Sequence, residues 1–286
     1  MDDFTLCSIS TTQESYQKLI DLHHALSQCL FDDVHIALET WFSANMSAAL
    51  GGILDQAAAL NAITVDSPNK QIISILQKNG FLANYGYQKT YDTYHTAIPY
   101  LKLKLQESRY FHNYVLTELL MQKDLPPMTD LLKKKIAESI HEIFVNAQIH
   151  SGTDYIYTCG QFFPTKGKIE FAIVDMGIGF KKKINDRFST TATSVQAIKW
   201  ALQDGHTTKK DIPGGIGLAI LQEFIKLNGG KLQIVSDDGF YQVDNEGETL
   251  KVFTAPFPGT IINMQFRTDD DHSYCLSNEA KHNSIF

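Results

Sequence analysis

Two periods of apolar residues alternate along the first third of the chain. Phe4 to Ile9 is a short apolar run, and Asp33 to Glu39 (DVHIALE) alternates as a half-buried strand does. Between them, Tyr16, Leu19, Ile20 and Leu26 space a helix over Gln13 to Leu30. The stretch NMSAALGGILDQAAAL predicts a second helix running through Leu60, with Ser43 or Asn45 able to cap it. Ala62 to Val65 reads as a strand and Ser67-Pro68-Asn69 as a turn. Lys70 to Lys78 reads as a helix closed by Asn79-Gly80. Strands that alternate with helices need crossover connections, which imply at least partly parallel pairing.

The pattern then changes. Residues 83 to about 109 carry a stripe of tyrosines (Tyr85, Tyr87, Tyr91, Tyr94, Tyr100) and read as a connector leading into a strand near Ala97 to Leu105. A helix over Arg109 to Gln122 is broken by Asp124-Leu125-Pro126-Pro127. The longest helix follows, from about Leu131 to His150. Tyr155 to Phe163 and Lys168 to Val174 predict a hairpin whose second strand runs into Asp175-Met176-Gly177-Ile178-Gly179. Residues 180 to 213 are polar, with one short helix over Ser194 to Leu202. Gly215-Ile216-Gly217-Leu218 opens a helix to Leu227, stopped by Asn228-Gly229-Gly230. A strand over Lys231 to Ser236, an acidic loop over Asp237 to Thr249 and a strand pair (Thr249 to Ala255, Thr260 to Phe266) complete the pattern. The polar tail from Thr268 is expected to be flexible.

Composition removes several function classes. The formal charge of the 286 residues is −7, and no basic run is dense enough to track a phosphate backbone, which argues against nucleic acid. No stretch approaches the roughly 18 apolar residues of a membrane span, and MDDFTLCSIS is not a signal peptide. The four cysteines are scattered without a CxxC, which excludes a cysteine metal cluster and fits a reducing cytoplasm.

Candidate chemistry begins on the longest helix. Ile136, Ile140, Ile143, Phe144 and Ala147 share one apolar arc at about 100° per residue, and Ser139, Glu142, Asn146 and His150 form a polar stripe along its edge. A solvated face would lie opposite the arc, whereas a stripe beside it lines a cavity. Glu142 and Asn146, four residues apart, stand one above the other and can hold a divalent cation and a water. Asp175, at a strand end, can accept from an exocyclic amine. Gly177 and Gly179 would permit positive φ and let a planar base lie against backbone. Gly215 and Gly217 would expose N–H groups to a polyphosphate at a helix start. Lys209 and Lys210 could reach the same phosphates, although a solvated loop explains them equally. The chain lacks both the third glycine of a dinucleotide fingerprint and any GxxxxGK[ST].

These segments, in this order, resemble a Bergerat-fold (GHKL) ATPase domain over residues 105–268. Glu142-Ile-Phe-Val-Asn146-Ala147 resembles its N box, Asp175-Met-Gly177-Ile-Gly179 its adenine box, and Gly215-Ile-Gly217-Leu218 its second glycine box. Thr260, after Gly259, matches the threonine near the adenine, and residues 180 to 214 take the place of the ATP lid. The resemblance implies an α/β sandwich, a mixed sheet with helices on one face, that binds ATP and Mg2+. Asn146 would hold the metal and Glu142 would act as base. EIFVNAQIH is most similar to the anti-sigma-factor serine kinases. No acceptor histidine on a helical hairpin precedes the domain, since His112 is followed by Asn113, so a conventional histidine kinase is not expected.

Residues 1–88 resemble, more weakly, a STAS-like domain, the anti-sigma-factor-antagonist fold, carried by the element order from Val34 to Leu82. Members of that family carry a phosphorylatable serine at the start of the helix after the strand. Ser43 and Ser47 are the nearest candidates here, and ordinary capping or packing serines are the better reading, because the Asp-Ser-Ser-Gly motif is absent. Residues 89–104 would be a connector and 269–286 a flexible tail. Together the resemblances imply a signalling protein of a partner-switching pathway, transferring phosphoryl to a serine or threonine of a protein partner or hydrolysing ATP. The alternative is an ATP-gated interaction module with negligible turnover. The oligomeric state stays open, a homodimer included.

Overall fold

The computed structural model describes residues 2–203 and 216–280. Each half of the chain builds its own sheet, and the two halves share a core.

In the first half, β1 (Asp2–Ile9), β2 (Asp33–Phe42) and β3 (Ala62–Asp66) form a parallel sheet in the order β1-β2-β3. The crossovers are α1 (Gln13–Leu26) and α2 (Ser47–Ala57), and α3 (Lys70–Lys78) follows β3. Thr12 and Asn69 cap α1 and α3 by accepting backbone N–H bonds from Ser15 and Gln71. The expected cap of α2 does not form. A single 3-10 turn, Ala44–Met46, precedes α2, and neither Ser43 nor Asn45 bonds a helix N–H. The Ser43 hydroxyl instead accepts from the Trp41 indole, and Asn45 is fully buried with its amide donating to Asn263 Oδ1 at 2.9 Å. Ser43 and Ser47 are both buried, and the Ser47 hydroxyl meets the Asn79 amide, so neither is presented to a kinase.

In the second half, β4 (Ala97–Lys104), β5 (Tyr155–Phe163), β6 (Lys168–Asp175), β7 (Lys231–Asp244) and β8 (Gly247–Arg267) form a five-stranded sheet in the order β4-β5-β6-β8-β7. Every pairing within this sheet is antiparallel, so the mixed sheet expected for residues 105–268 is not what forms, and the parallel pairings lie in the separate sheet of the first half. The reason is connectivity: β5-β6 and β7-β8 are hairpins. The helices are α4 (Ser108–Tyr114, continued by a π turn over Val115–Leu119), α5 (Asp130–His150), α6 (Phe180–Phe188), α7 (Ser194–Leu202), α8 (Ile216–Leu227) and the short α9 (Ser277–Ala280).

Strand alternation gives this sheet two unlike faces. Phe171 and Ile173 of β6 join Phe111, Ile140, Phe144, Ile198 and Leu221 in the front core, beneath the helices of the second half. Ala172 and Val174 point the other way and join Leu19, Leu50, Ile53 and Leu54 of α1 and α2. The first half therefore covers the back of the second sheet.

The strand expected near Ala97 to Leu105 forms as β4, an edge strand of the second sheet. Three expectations change. The polar stretch after Gly179 holds two helices, α6 and α7, rather than one. The acidic loop is strand: β7 runs to Asp244 and β8 starts at Gly247, with Tyr241 and Val243 facing front and Phe240 facing back. The tail is held through its described part. The Tyr274 ring meets Phe224 edge-on, its hydroxyl donates to Leu227 O and to Asp270, and Met128 forms a bridge to Tyr274. Among the described residues, no helix is long and apolar enough to cross a membrane.

Candidate functional site

The site is built around α5. Thr129 caps it by accepting from Leu132 N–H, with Asp130 in the first turn favoured by the helix dipole. Ile136, Ile140 and Phe144 are buried completely against the front of the sheet. Glu142 and Asn146 lie half-buried on the flank of that arc, as the sequence pattern predicts. Beside them opens a cavity of about 620 Å3, counting the solvent at its mouth.

Four stretches of the chain line this cavity. Helix α5 contributes Ser139, Glu142 and Asn146, the end of β6 and the start of α6 contribute Asp175, Phe180 and Lys183, α7 contributes Ala201, and β8 contributes Thr260. Asp175 and Thr260 are directly opposed across the β6-β8 pairing. Ser139 bonds back to Lys135 O and leaves the polar work of the stripe to Glu142 and Asn146.

Asp175 is only 7% exposed. Burial pushes its carboxyl from the ordinary 3.8 up to about 7, against the opposing pull of the Gly177 N–H, the Lys183 charge and the Thr260 hydroxyl. The Gly177 N–H donates to Asp175 Oδ1 at 3.1 Å. A carboxylate poised near neutrality at the floor of a cavity is a candidate recognition group, since any donor that enters stabilises its charged form.

The glycines work differently from the expectation. Neither Gly177 nor Gly179 has a positive φ. They are required by close approach: a Cβ at Gly177 would collide with Ser151 O at the end of α5, and one at Gly179 with the Asp237 carboxylate. Ile178 N–H donates to the same Ser151 O at 2.6 Å. Gly259 is the glycine with left-handed φ, +139°, and a Cβ there would collide with Asp175 O. Loop 175–179 is thus clamped by α5 on one side and by β8 on the other.

Phe180 and Lys183 are among the cavity residues that the sequence reading did not place at the site. Their helix starts because the Phe180 and Lys181 N–H groups are accepted by Ser236 Oγ at 2.9 Å and Asp237 Oδ2 at 3.2 Å. Those acceptors come from a strand more than fifty positions away, so no local cap announces α6. The spacing of Phe180, Ile184 and Phe188 is the one signal that could have found it.

Of the other expected site residues, Gly217 and Leu218 fall in the first turn of α8, and their side chains, like that of His150, lie outside the described residues. Lys209, Lys210 and Gly215 lie outside them altogether. Among the described residues, no group of three or more His, Cys, Asp or Glu side chains could hold a metal. The chain matches no protein-family model and no curated protein sequence.

Proposed function

We propose that residues 105–268 are a Bergerat-type nucleotide-binding unit and that the α5 cavity takes ATP with Mg2+. The observation that carries this reading is the convergence of Glu142, Asn146, Asp175 and Thr260 on one cavity from three segments distant in sequence. Asp175 would accept the adenine amine, with the neighbouring Thr260 hydroxyl and the Gly177 N–H fixing its orientation. Asn146 offers an amide oxygen to Mg2+, which when bound neutralises phosphate charge. Glu142, one turn earlier on the same face, is placed to orient or deprotonate the attacking group. The acceptor would be a partner's serine or threonine hydroxyl, or water. The first half, STAS-like in its element order, would then serve partner recognition in a switching pathway.

A second reading takes ATP as a switch for partner binding with negligible turnover. It is favoured by the start of α6, whose Phe180 N–H is held by Ser236 Oγ, itself 3.3 Å from Thr260 Oγ1. A nucleotide that engaged Thr260 would reach α6 through one hydroxyl.

Calorimetry with ADP and Mg2+ tests the binding claim, and a flat titration would end both readings. Asp175→Asn should weaken ADP by about tenfold or more, the worth of a charge-assisted hydrogen bond. Because Asp175 titrates near 7, ADP affinity should fall by about tenfold from pH 8 to pH 6, as the acceptor becomes protonated. The same titration of Asp175→Asn subtracts the ionisation of the phosphates. Glu142→Ala separates the readings: label from γ-labelled ATP should no longer transfer while ADP still binds, whereas a gated binder keeps its partner affinity.

A further inference from the structure

Asp175 and Met176 are adjacent in sequence and serve opposite sides of the sheet. Asp175 lines the cavity in front. Met176 packs into the core that the second sheet shares with α1 and α2. What it meets there is specific. Helix α2 carries Gly51 and Gly52 in its middle, where each glycine costs about 1 kcal/mol of helix propensity relative to alanine. A Cβ at Gly52 would lie 2.7 Å from Met176 Sδ and 2.8 Å from its Cγ. One turn on, Gln56 Nε2 donates to Met176 O at 3.4 Å. Between them Asp55 accepts from Tyr157 Oη at 2.7 Å and from Lys102 Nζ at 2.6 Å, which ties α2 to β5 and β4. The second half of α2 is thus seated on the sheet edge and on the backbone and side chain of the residue next to Asp175.

We propose that α2 is a positioning element for the nucleotide loop, acting through Met176, so that seating of the first half behind the sheet and occupancy of the cavity in front are one linked equilibrium. The nucleotide part of this statement rests on the function proposed above. Three of the contacts on loop 175–179 bear on this: the end of α5 through Ser151, β8 through Gly259, and α2 through Met176. The first two belong to the same half of the chain as the cavity. The third comes from the other half, so a partner that shifts α2 changes the loop. By reciprocity, a ligand that fixes the loop favours the seated α2 by the same factor.

The test compares Gly52→Ala with Gly51→Ala, its neighbour in the same helix. Both substitutions gain the same helix propensity, and both place a methyl against a side chain of the second half. Gly51→Ala meets Tyr100 of β4, away from the loop. Amide hydrogen exchange is read without nucleotide at Gly177 and Ile178, whose N–H groups bond Asp175 and Ser151. Gly52→Ala is expected to speed both amides and to weaken ADP·Mg2+ by about fivefold, in the range of coupling through packed contacts. Gly51→Ala is expected to stay within about twofold of the unaltered chain in both readouts, the margin of independent sites. Met176→Ala, which creates no collision, should speed the same amides, and in its background Gly52→Ala should add little, its remaining neighbour being the Tyr157 ring at 3.3 Å.

Unchanged amides in Gly52→Ala, or an equal response from Gly51→Ala, overturns the proposal. Should Gly52→Ala fail to fold, unchanged amides in Met176→Ala overturn it as well. A chain that binds no ADP yet shows the amide responses removes the nucleotide reading and leaves the α2–loop coupling standing.

Discussion

On the back of the five-stranded sheet, Tyr157, Cys159, Ala172, Val174 and Val235 meet α1 and α2 in a closed core. On the front, Ile143, Ile262 and Ala201 stop short of one another and leave the cavity. The same strands supply both faces, so alternation alone does not decide which is filled. The difference lies in what covers them. The back receives a helix with small residues, Ala48, Ala49, Gly51 and Gly52, that lies close against the strands, and several polar groups are paired across the seam. Ala44 N–H donates to Gln161 Oε1, Thr11 Oγ1 to Glu170 Oε1, and Tyr16 Oη to Gln233 Oε1. The front receives α5, whose polar stripe sits at the edge of its apolar arc and holds the sheet and the start of α6 apart. A filled interface serves stability and a hollow one serves a ligand, and paired substitutions can break that distinction.

The largest effect is expected from Leu54→Ala. Leu54 is fully buried between the halves, and truncating such a residue costs about 2–5 kcal/mol, rising with the void left behind. Ile143 lines a space that already exists, so Ile143→Ala leaves little new void and should cost about 2 kcal/mol or less. Urea unfolding of the two variants measures the gap. Equal losses would mean that the cavity is closed in solution and that the two faces are alike.

Next in size is the pH response of Asp175. Its folded carboxyl titrates near 7 against 3.8 for an ordinary aspartate, so the folded state holds the proton more tightly than the unfolded chain. The stability this provides is full below about pH 4 and is lost as pH rises through 7. At pH 8 the buried charge then costs up to roughly 4 kcal/mol. Asp175→Asn should therefore unfold at higher urea than the unaltered chain at pH 8 and at nearly the same urea at pH 4. The variant that loses nucleotide is expected to be the more stable one, as at sites where function is held against stability. A difference that stays constant with pH would show that Asp175 is solvated.

The legible parts of this molecule were those whose cause is local. The arc of α5 and its Glu142–Asn146 stripe follow from a period of 3.6, and the hairpin of β5 and β6 from alternation and a Pro-Thr-Lys-Gly turn. The parts missed have causes elsewhere in the chain. Helix α6 is started by Ser236 and Asp237 across the fold. The second half of β7 was hidden because Asp237, Asp238, Asp244 and Glu246 bracket its alternating core, and acidic residues at a hairpin's ends read as loop. The glycines were identified as necessary, but for the wrong reason. Close approach to Ser151 and Asp237 depends on tertiary packing that no spacing encodes. The polar seating of the first half on the second was not legible, since Asn45, Tyr16 and Gln233 look like ordinary polar residues until the sheets meet.

That seating gives the smallest and sharpest prediction. Tyr16 is completely buried, and its hydroxyl donates to Gln233 Oε1 at 3.0 Å. Burial holds its phenol far above the ordinary tyrosine range, so it stays neutral at any working pH. Gln233 Oε1 also accepts from Asn263 Nδ2 at 3.3 Å, and Gln233 Nε2 is held by Thr11 O and Gln242 Oε1. Tyr16→Phe therefore removes one donor and leaves no acceptor without a partner, which limits the loss to about 0.5–1.5 kcal/mol. Asn263→Ala removes the acceptor of the Asn45 amide and one of the two donors to Gln233 Oε1, and Asn45 Oδ1 is already without a partner. Its loss should exceed that of Tyr16→Phe by about 1 kcal/mol or more, the cost of a buried donor left unpaired. Equal losses in urea unfolding would mean that water enters between the halves and satisfies Asn45, and the back of the sheet would then be no drier than the front.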